Sequence, residues 1–116
     1  MDIHIDNDEI IPVIVLRSEN LDSGNADEFR RHIAPILATN PNVILDMNHV
    51  EFLDSSGLGA ILSCLRRAGE TGGDMKLIGM SENVRSVFRI TRMHRIFDIF
   101  EDKEEAIRSF NHAIPE

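Results

Sequence analysis

The chain has 116 residues, 42% of them hydrophobic and 28% charged, with a formal net charge of −8. That length supports one compact domain and is too short for two ordinary ones, and the negative balance argues against a nucleic-acid surface, which needs a concentrated positive field. The lone cysteine, Cys64, excludes an internal disulfide, and without a long apolar span or a basic-then-apolar leader the expectation is a cytoplasmic protein with no membrane insertion.

Two strands are predicted in the first 20 residues. Ile3 and Ile5 alternate with polar neighbours, and Ile10 to Leu16 form a nearly continuous apolar run. Asn7-Asp8 supplies turn residues between them. Pro12 cannot donate a ladder hydrogen bond, which predicts an edge position or a bulge near the start of the second strand. A helix is expected from Asp22 or Ser23, with Asp22 accepting first-turn N–H groups and Ala26, Phe29, Arg30 and Ile33 at helical spacing. Pro35 should kink this helix or split its last turn, and Asn40-Pro41 ends it.

Val43-Ile44-Leu45 is the next strand, and Phe52 and Leu53 lead into a Ser-Gly turn. From Leu58 to Ala68 the spacing of Leu58, Ile61, Leu62 and Leu65 predicts a second amphipathic helix, ended by Gly69 and Gly72-Gly73. Met75 to Ile78 is a short strand. Ser81 is placed to cap a third helix carrying Val84, Val87 and Phe88 on one face. Ile96 to Phe100 reads as a final strand, and Asp102 with Glu105 approximates a capping pattern for a last helix with Ala106, Ile107 and Phe110 inward. This alternation predicts an α/β fold, one sheet covered by helices.

The segment with chemical interest is Asp54-Ser55-Ser56-Gly57-Leu58-Gly59, directly before the second helix. A helix start exposes N–H groups without internal partners, which stabilise anionic oxygens. A phosphate on Ser56 would add about 1.5 to 2 negative charges and three strong acceptors. The helix dipole tolerates such charge by roughly 0.3 to 1 kcal/mol, whereas a partner fitted to a neutral hydroxyl would not. Gly57 and Gly59 would relieve crowding around the turn and against a partner's backbone. The residues by themselves leave three uses open, a structural cap, a modified or binding serine, and a nucleophile, and they do not choose between Ser55 and Ser56.

The run Phe52-Leu53-Asp54-Ser55-Ser56-Gly57-Leu58-Gly59 resembles the anti-sigma factor antagonist group of STAS domains. Val43-Ile44-Leu45-Asp46, Leu21-Asp22, Met75-Lys76-Leu77 and the stretch from Val87-Phe88 through Ile96-Phe97 extend the resemblance over nearly the whole chain. It implies a single STAS domain over residues 1–116, with a four- or five-stranded mixed sheet and helices mostly on one side. The serine before the first glycine, Ser56, is then the acceptor of phosphate from an anti-sigma factor serine kinase, with Ser55 the second choice. The implied partner surface comprises Asp22, Asp54, Ser55, Ser56, Gly57, Leu58 and Gly59, Asp54 shaping the acceptor site.

By the same resemblance the unphosphorylated form binds the anti-sigma factor and frees a sigma factor, and a PP2C-like serine phosphatase restores that form. ATP and magnesium arrive with the kinase, so no cofactor is implied for this chain, which is expected to be a monomer or weak homodimer. Relatives often carry glycine two residues before the Leu-Asp pair; Glu19 stands there instead, a departure bearing on loop shape and partner choice. The alternative is a STAS interaction scaffold in a non-sigma partner-switching pathway, or one whose serine takes no phosphate.

Enzymatic readings are weaker. His4, His32, His49, His94 and His112 are scattered, and Ser56 lacks a hydrolase elbow, so no catalytic residue is assigned. Asp46 follows a short strand as a phospho-acceptor aspartate would, but lacks a nearby acidic pair; Asp2, Asp6 and Asp8 read as solvated or turn residues. No set of ligands with metal-site spacing is present. Arg85, Arg89, Arg92 and Arg95, with His94, read as a solvated helix face and its following loop, or as a docking patch.

Overall fold

A computed structural model describes residues 1–7 and 10–112, with backbone alone for 111 and 112; Asp8 and the His112 side chain therefore lie outside the described residues. The strands are β1 (Ile3–Asp6), β2 (Val13–Leu16), β3 (Asn20–Leu21), β4 (Asn42–Asp46), β5 (Phe52–Leu53), β6 (Asp74–Ile78) and β7 (Ile99–Phe100). The helices are α1 (Ala26–Thr39), α2 (Ser55–Glu70), α3 (Glu82–Ile90) and α4 (Lys103–His112), with a 3-10 turn at Met93–Arg95. A mixed five-stranded sheet runs β1-β2-β4-β6-β7, and a separate two-stranded sheet pairs β3 with β5. Only β1 is antiparallel to its neighbour in the large sheet.

The apolar runs have no polar alternation because both faces of the sheet are covered. Ile14, Leu16, Val43, Leu45, Met75 and Leu77 point to one face, where they meet Phe29, Ile33, Ile61 and Phe88 from α1, α2 and α3. Val13, Ile44 and Ile78 point to the other and meet Ala106 and Phe110 of α4. Three helices thus share one layer and α4 alone covers the opposite side. Lys76 is buried under α4, its Nζ donating to Asp98 (3.1 Å) and Ser109 (2.5 Å) and lying 4.6 Å from the Phe110 ring centre. Among the described residues no helix is long and apolar enough to cross a membrane.

Several local expectations are corrected. β2 is an internal strand between β1 and β4; Pro12 sits just before it, where only its carbonyl is needed, accepting from the Ile44 N–H at 3.1 Å. α1 is not split at Pro35, which lies on its exposed side. The helix also starts later than Asp22 suggests, because Asp22 folds a local turn: its carboxylate accepts from the Gly24 N–H and its carbonyl from those of Asn25 and Ala26. The segment from Ile96 to Phe100 pairs only at Ile99 and Phe100. Arg92, at φ 61°, turns the chain into the 3-10 segment, and Phe97 dives into the core to meet Phe88 edge-on at 5.6 Å.

Candidate functional site: the serine turn at the start of α2

The small β3–β5 pair builds this end of the molecule. Asn20 lies opposite Phe52 and Leu21 opposite Leu53, and the Glu19 carbonyl accepts from the N–H groups of Glu51 (2.7 Å) and Phe52 (3.1 Å). Leu21-Asp22 is thereby held beside Leu53-Asp54. Among the described non-glycine residues only Arg92 has positive φ, so the backbone at Glu19 makes no demand for glycine.

Asp54 joins the two helix entrances. One carboxylate oxygen accepts from the Gly57 N–H at 2.9 Å, which makes Asp54 the N-cap of α2, and the other accepts from the Ser23 N–H at 3.2 Å. Its own N–H reaches the Leu21 carbonyl at 3.4 Å. The helix therefore begins at Ser55 rather than Leu58, and the capping role falls to Asp54, not to either serine. Ser55 is exposed and Ser56 half-buried, and among the described residues neither hydroxyl has a hydrogen-bond partner. Their backbone N–H groups, at the first two positions of α2, have no intrahelical acceptor. Exposure by itself favours Ser55.

Gly57 is where the turn is tightest. A β-carbon there would sit 2.1 Å from the Leu21 carbonyl oxygen and 2.8 Å from Leu53 Cδ1. The crowding comes from this chain's own β3–β5 pair. Gly59 is different: the nearest atom to a β-carbon there is Arg30 Nη2 at 4.0 Å, so within the fold it relieves no crowding. Leu58 is buried in the core and anchors α2 rather than offering surface. Asp22, Asp54, Ser55, Ser56 and Gly59 are the members of the predicted set that reach solvent.

Two contributors escape sequence reasoning. The Ser23 N–H ties the α1 entrance to Asp54, a long-range contact that no local pattern announces. Phe52 is 68% exposed and, with Val87 and Asn83 of α3, lines a shallow open groove beside the turn. Alternation in β5 gives the signal, since Leu53 is buried and its neighbour must point the other way.

The remaining candidates are used otherwise. Asp46 accepts from the backbone and side-chain N–H groups of Asn48 at 2.9 and 2.7 Å. His4, His32, His49 and His94 are exposed, and the described residues contain no cluster able to hold a metal ion. Arg85 pairs with Glu101 at 2.5 Å and Arg89 with Glu82 at 3.8 Å, so the cleft they line with His94, about 440 Å³ in volume, carries compensated charge. Burial pushes the Cys64 thiol up to about 11, which keeps it protonated and inert near neutral pH.

A model of the STAS domain matches residues 3–106. The chain belongs to the STAS domain family. The curated relatives it is similar to include anti-sigma factor antagonists. It is 26% identical over 88 residues to the anti-sigma-B factor antagonist of Bacillus subtilis, spanning 76% of this chain and 81% of that protein. An anti-sigma factor antagonist from Mycobacterium paratuberculosis superposes with a TM-score of 0.82 at 18% identity, covering 93% of this chain and 92% of the other. The Bacillus cell fate determinant SpoIIAA, solved in its phosphorylated form, superposes with a TM-score of 0.70 at 23% identity over 94% of this chain and 99% of that one. At those identities the two structures speak for the fold.

Proposed function

We propose that the chain, as a single STAS domain over residues 1–116, is a cytoplasmic partner-switch protein whose switch is phosphorylation of Ser56. Unphosphorylated, it binds an anti-sigma factor that is also a serine kinase, and so releases the sigma factor held there. The kinase transfers the γ-phosphoryl group of ATP to Ser56 Oγ: the new O–P bond forms as the bond to the ADP leaving group breaks, and the hydroxyl proton passes to a base on the kinase. A PP2C-like phosphatase reverses the step. The chain acts as a monomer or weak homodimer.

The observation that carries this reading is that Asp54 caps α2, leaving the Ser56 hydroxyl without a structural task at the rim of an otherwise tightly fitted turn. Phosphate there would add about 1.5 to 2 negative charges beside Asp54 and Asp22, on a surface where docking must strip water from that charge. The unpartnered N–H groups of the first turn soften the same charge within the fold, so binding changes more than folding does. The preference for Ser56 over the more exposed Ser55 comes from the family pattern.

The test is phosphotransfer from the anti-sigma factor kinase of the same organism with ATP and magnesium, read by peptide mass spectrometry. Phosphate is expected on Ser56 and lost in Ser56→Ala. Undiminished labelling of Ser56→Ala would transfer the role to Ser55 or elsewhere.

A further inference from the structure

Arg30 stands next to the serine turn although nothing in the motif calls for it. It projects from α1, and its Nη2 lies 4.0 Å from where a β-carbon on Gly59 would sit. Gly59 is one helical turn beyond Ser56, and residues three apart on a helix have β-carbons about 5–6 Å apart. The guanidinium is therefore within roughly 10 Å of the Ser56 β-carbon by the sum of those steps. Phosphoserine extension and rotation of the long arginine side chain close that gap.

Ser56, Ala60 and Cys64 follow one another at four-residue spacing, and Ala60 and Cys64 are buried. The charge of Arg30, like that of Arg67, opposes the upward shift of the Cys64 thiol, and its guanidinium reaches α2 beside Gly59. Ser55 precedes Gly59 by four residues and is within the same reach of Arg30, so the choice of Ser56 rests on the reading of Ser56 as the acceptor.

At present Arg30 Nη1 is hydrogen-bonded to Asp27 at 2.6 Å, on the exposed surface of α1. A guanidinium held by a single exposed carboxylate is readily exchanged, and a phosphate dianion offers it two parallel charge-assisted bonds.

We propose that Arg30 is an intramolecular phosphate-binding residue: once Ser56 carries phosphate, the guanidinium leaves Asp27 and pairs with it across the α1–α2 groove. This rests on the reading of Ser56 as the acceptor. The other charges around the phosphate are the carboxylates of Asp54 at the α2 cap, Asp22 in the preceding turn and Asp27 on α1, with Arg66 and Arg67 further along α2. The carboxylates raise the second phosphate pKa and the guanidinium lowers it.

The experiment installs phosphoserine at position 56 during translation, so that it needs no kinase, and follows the phosphorus-31 resonance through a pH titration. Arg30→Gln is expected to raise the second phosphate pKa by about half a unit or more, and Asp27→Asn to lower it by freeing Arg30. Arg31→Gln removes the same charge from an exposed neighbouring position and is expected to leave the value within a fraction of that shift. Equal titration of the parent and Arg30→Gln proteins overturns the proposal, as does an equal shift in Arg31→Gln. Because the phosphate is installed directly, failure of a kinase to modify Ser56 would sink the switch reading without touching this result, and the reverse holds too.

Discussion

Replacing Gly57 with alanine is the sharpest perturbation available at the turn. The added β-carbon meets the Leu21 carbonyl oxygen at 2.1 Å, the Leu21 carbonyl carbon at 2.8 Å and Leu53 Cδ1 at 2.8 Å. Two of those three atoms are backbone and have no rotamer into which to retreat, so the α2 start and the β3–β5 pair must move apart. Overpacking of this kind costs about 1–3 kcal/mol, and backbone contact places this case toward about 3. Better helix propensity returns at most about 1 kcal/mol. The net expectation is destabilisation by about 2 kcal/mol, or a drop of about 8 °C in Tm for a domain of this size. Gly59→Ala is the matched control, since it gains the same propensity and meets nothing closer than 4.0 Å; it should be neutral or stabilising by up to about 1 kcal/mol. Urea and thermal unfolding of both variants decide the matter. Equal stabilities, or a more stable Gly57→Ala, would refute the packing argument.

Asp54→Ala should cost about 1 to 2 kcal/mol in urea unfolding, from loss of the α2 cap together with the Ser23 contact; a loss below about 0.3 kcal/mol would mean the cap contributes nothing. Ser56→Ala, by contrast, should change stability by less than about 0.5 kcal/mol, because its hydroxyl makes no hydrogen bond. The raised Cys64 pKa has a signed consequence: its stabilisation is complete below the unfolded thiol pKa of about 9 and fades as pH rises toward about 11, costing about 2 kcal/mol by pH 10.5. Cys64→Ala should lack that alkaline fall when the two proteins are compared by urea unfolding at pH 8 and pH 10.5, and parallel losses would contradict the assignment.

The large sheet was legible because its strands are short apolar runs separated by helical periodicity, and both patterns are local. Val43-Ile44-Leu45, Met75 to Ile78 and the three apolar helix faces needed no tertiary information. Less legible were features fixed from a distance. Asn20-Leu21 is a strand only because Phe52-Leu53 lies beside it, and two residues carry no periodicity. Phe97 looks like a strand residue until the left-handed turn at Arg92 swings it against Phe88. Ile10 is fully exposed and Leu21 fully buried, although Ile10 opens an apolar run and Leu21 stands between two polar residues.

The serine turn was half legible. Asp, Ser and Gly in that order mark a helix entrance, but which residue caps it depends on geometry: the Asp54 carboxylate reaches Gly57 and Ser23 together. The need for glycine at 57, against the open space beside 59, likewise depends on how closely β3 approaches α2. Arg30 read in the sequence only as a residue at helical spacing, because its place beside Gly59 comes from the packing of α1 on α2 and not from any spacing along the chain.

The most direct measurement is the affinity of the anti-sigma factor kinase for this protein with and without phosphate installed at Ser56, by isothermal titration at fixed salt. A loss of at least tenfold, about 1.4 kcal/mol, with the Tm little changed, is the predicted result. Equal affinities would contradict the claim that a charge at this hydroxyl governs docking.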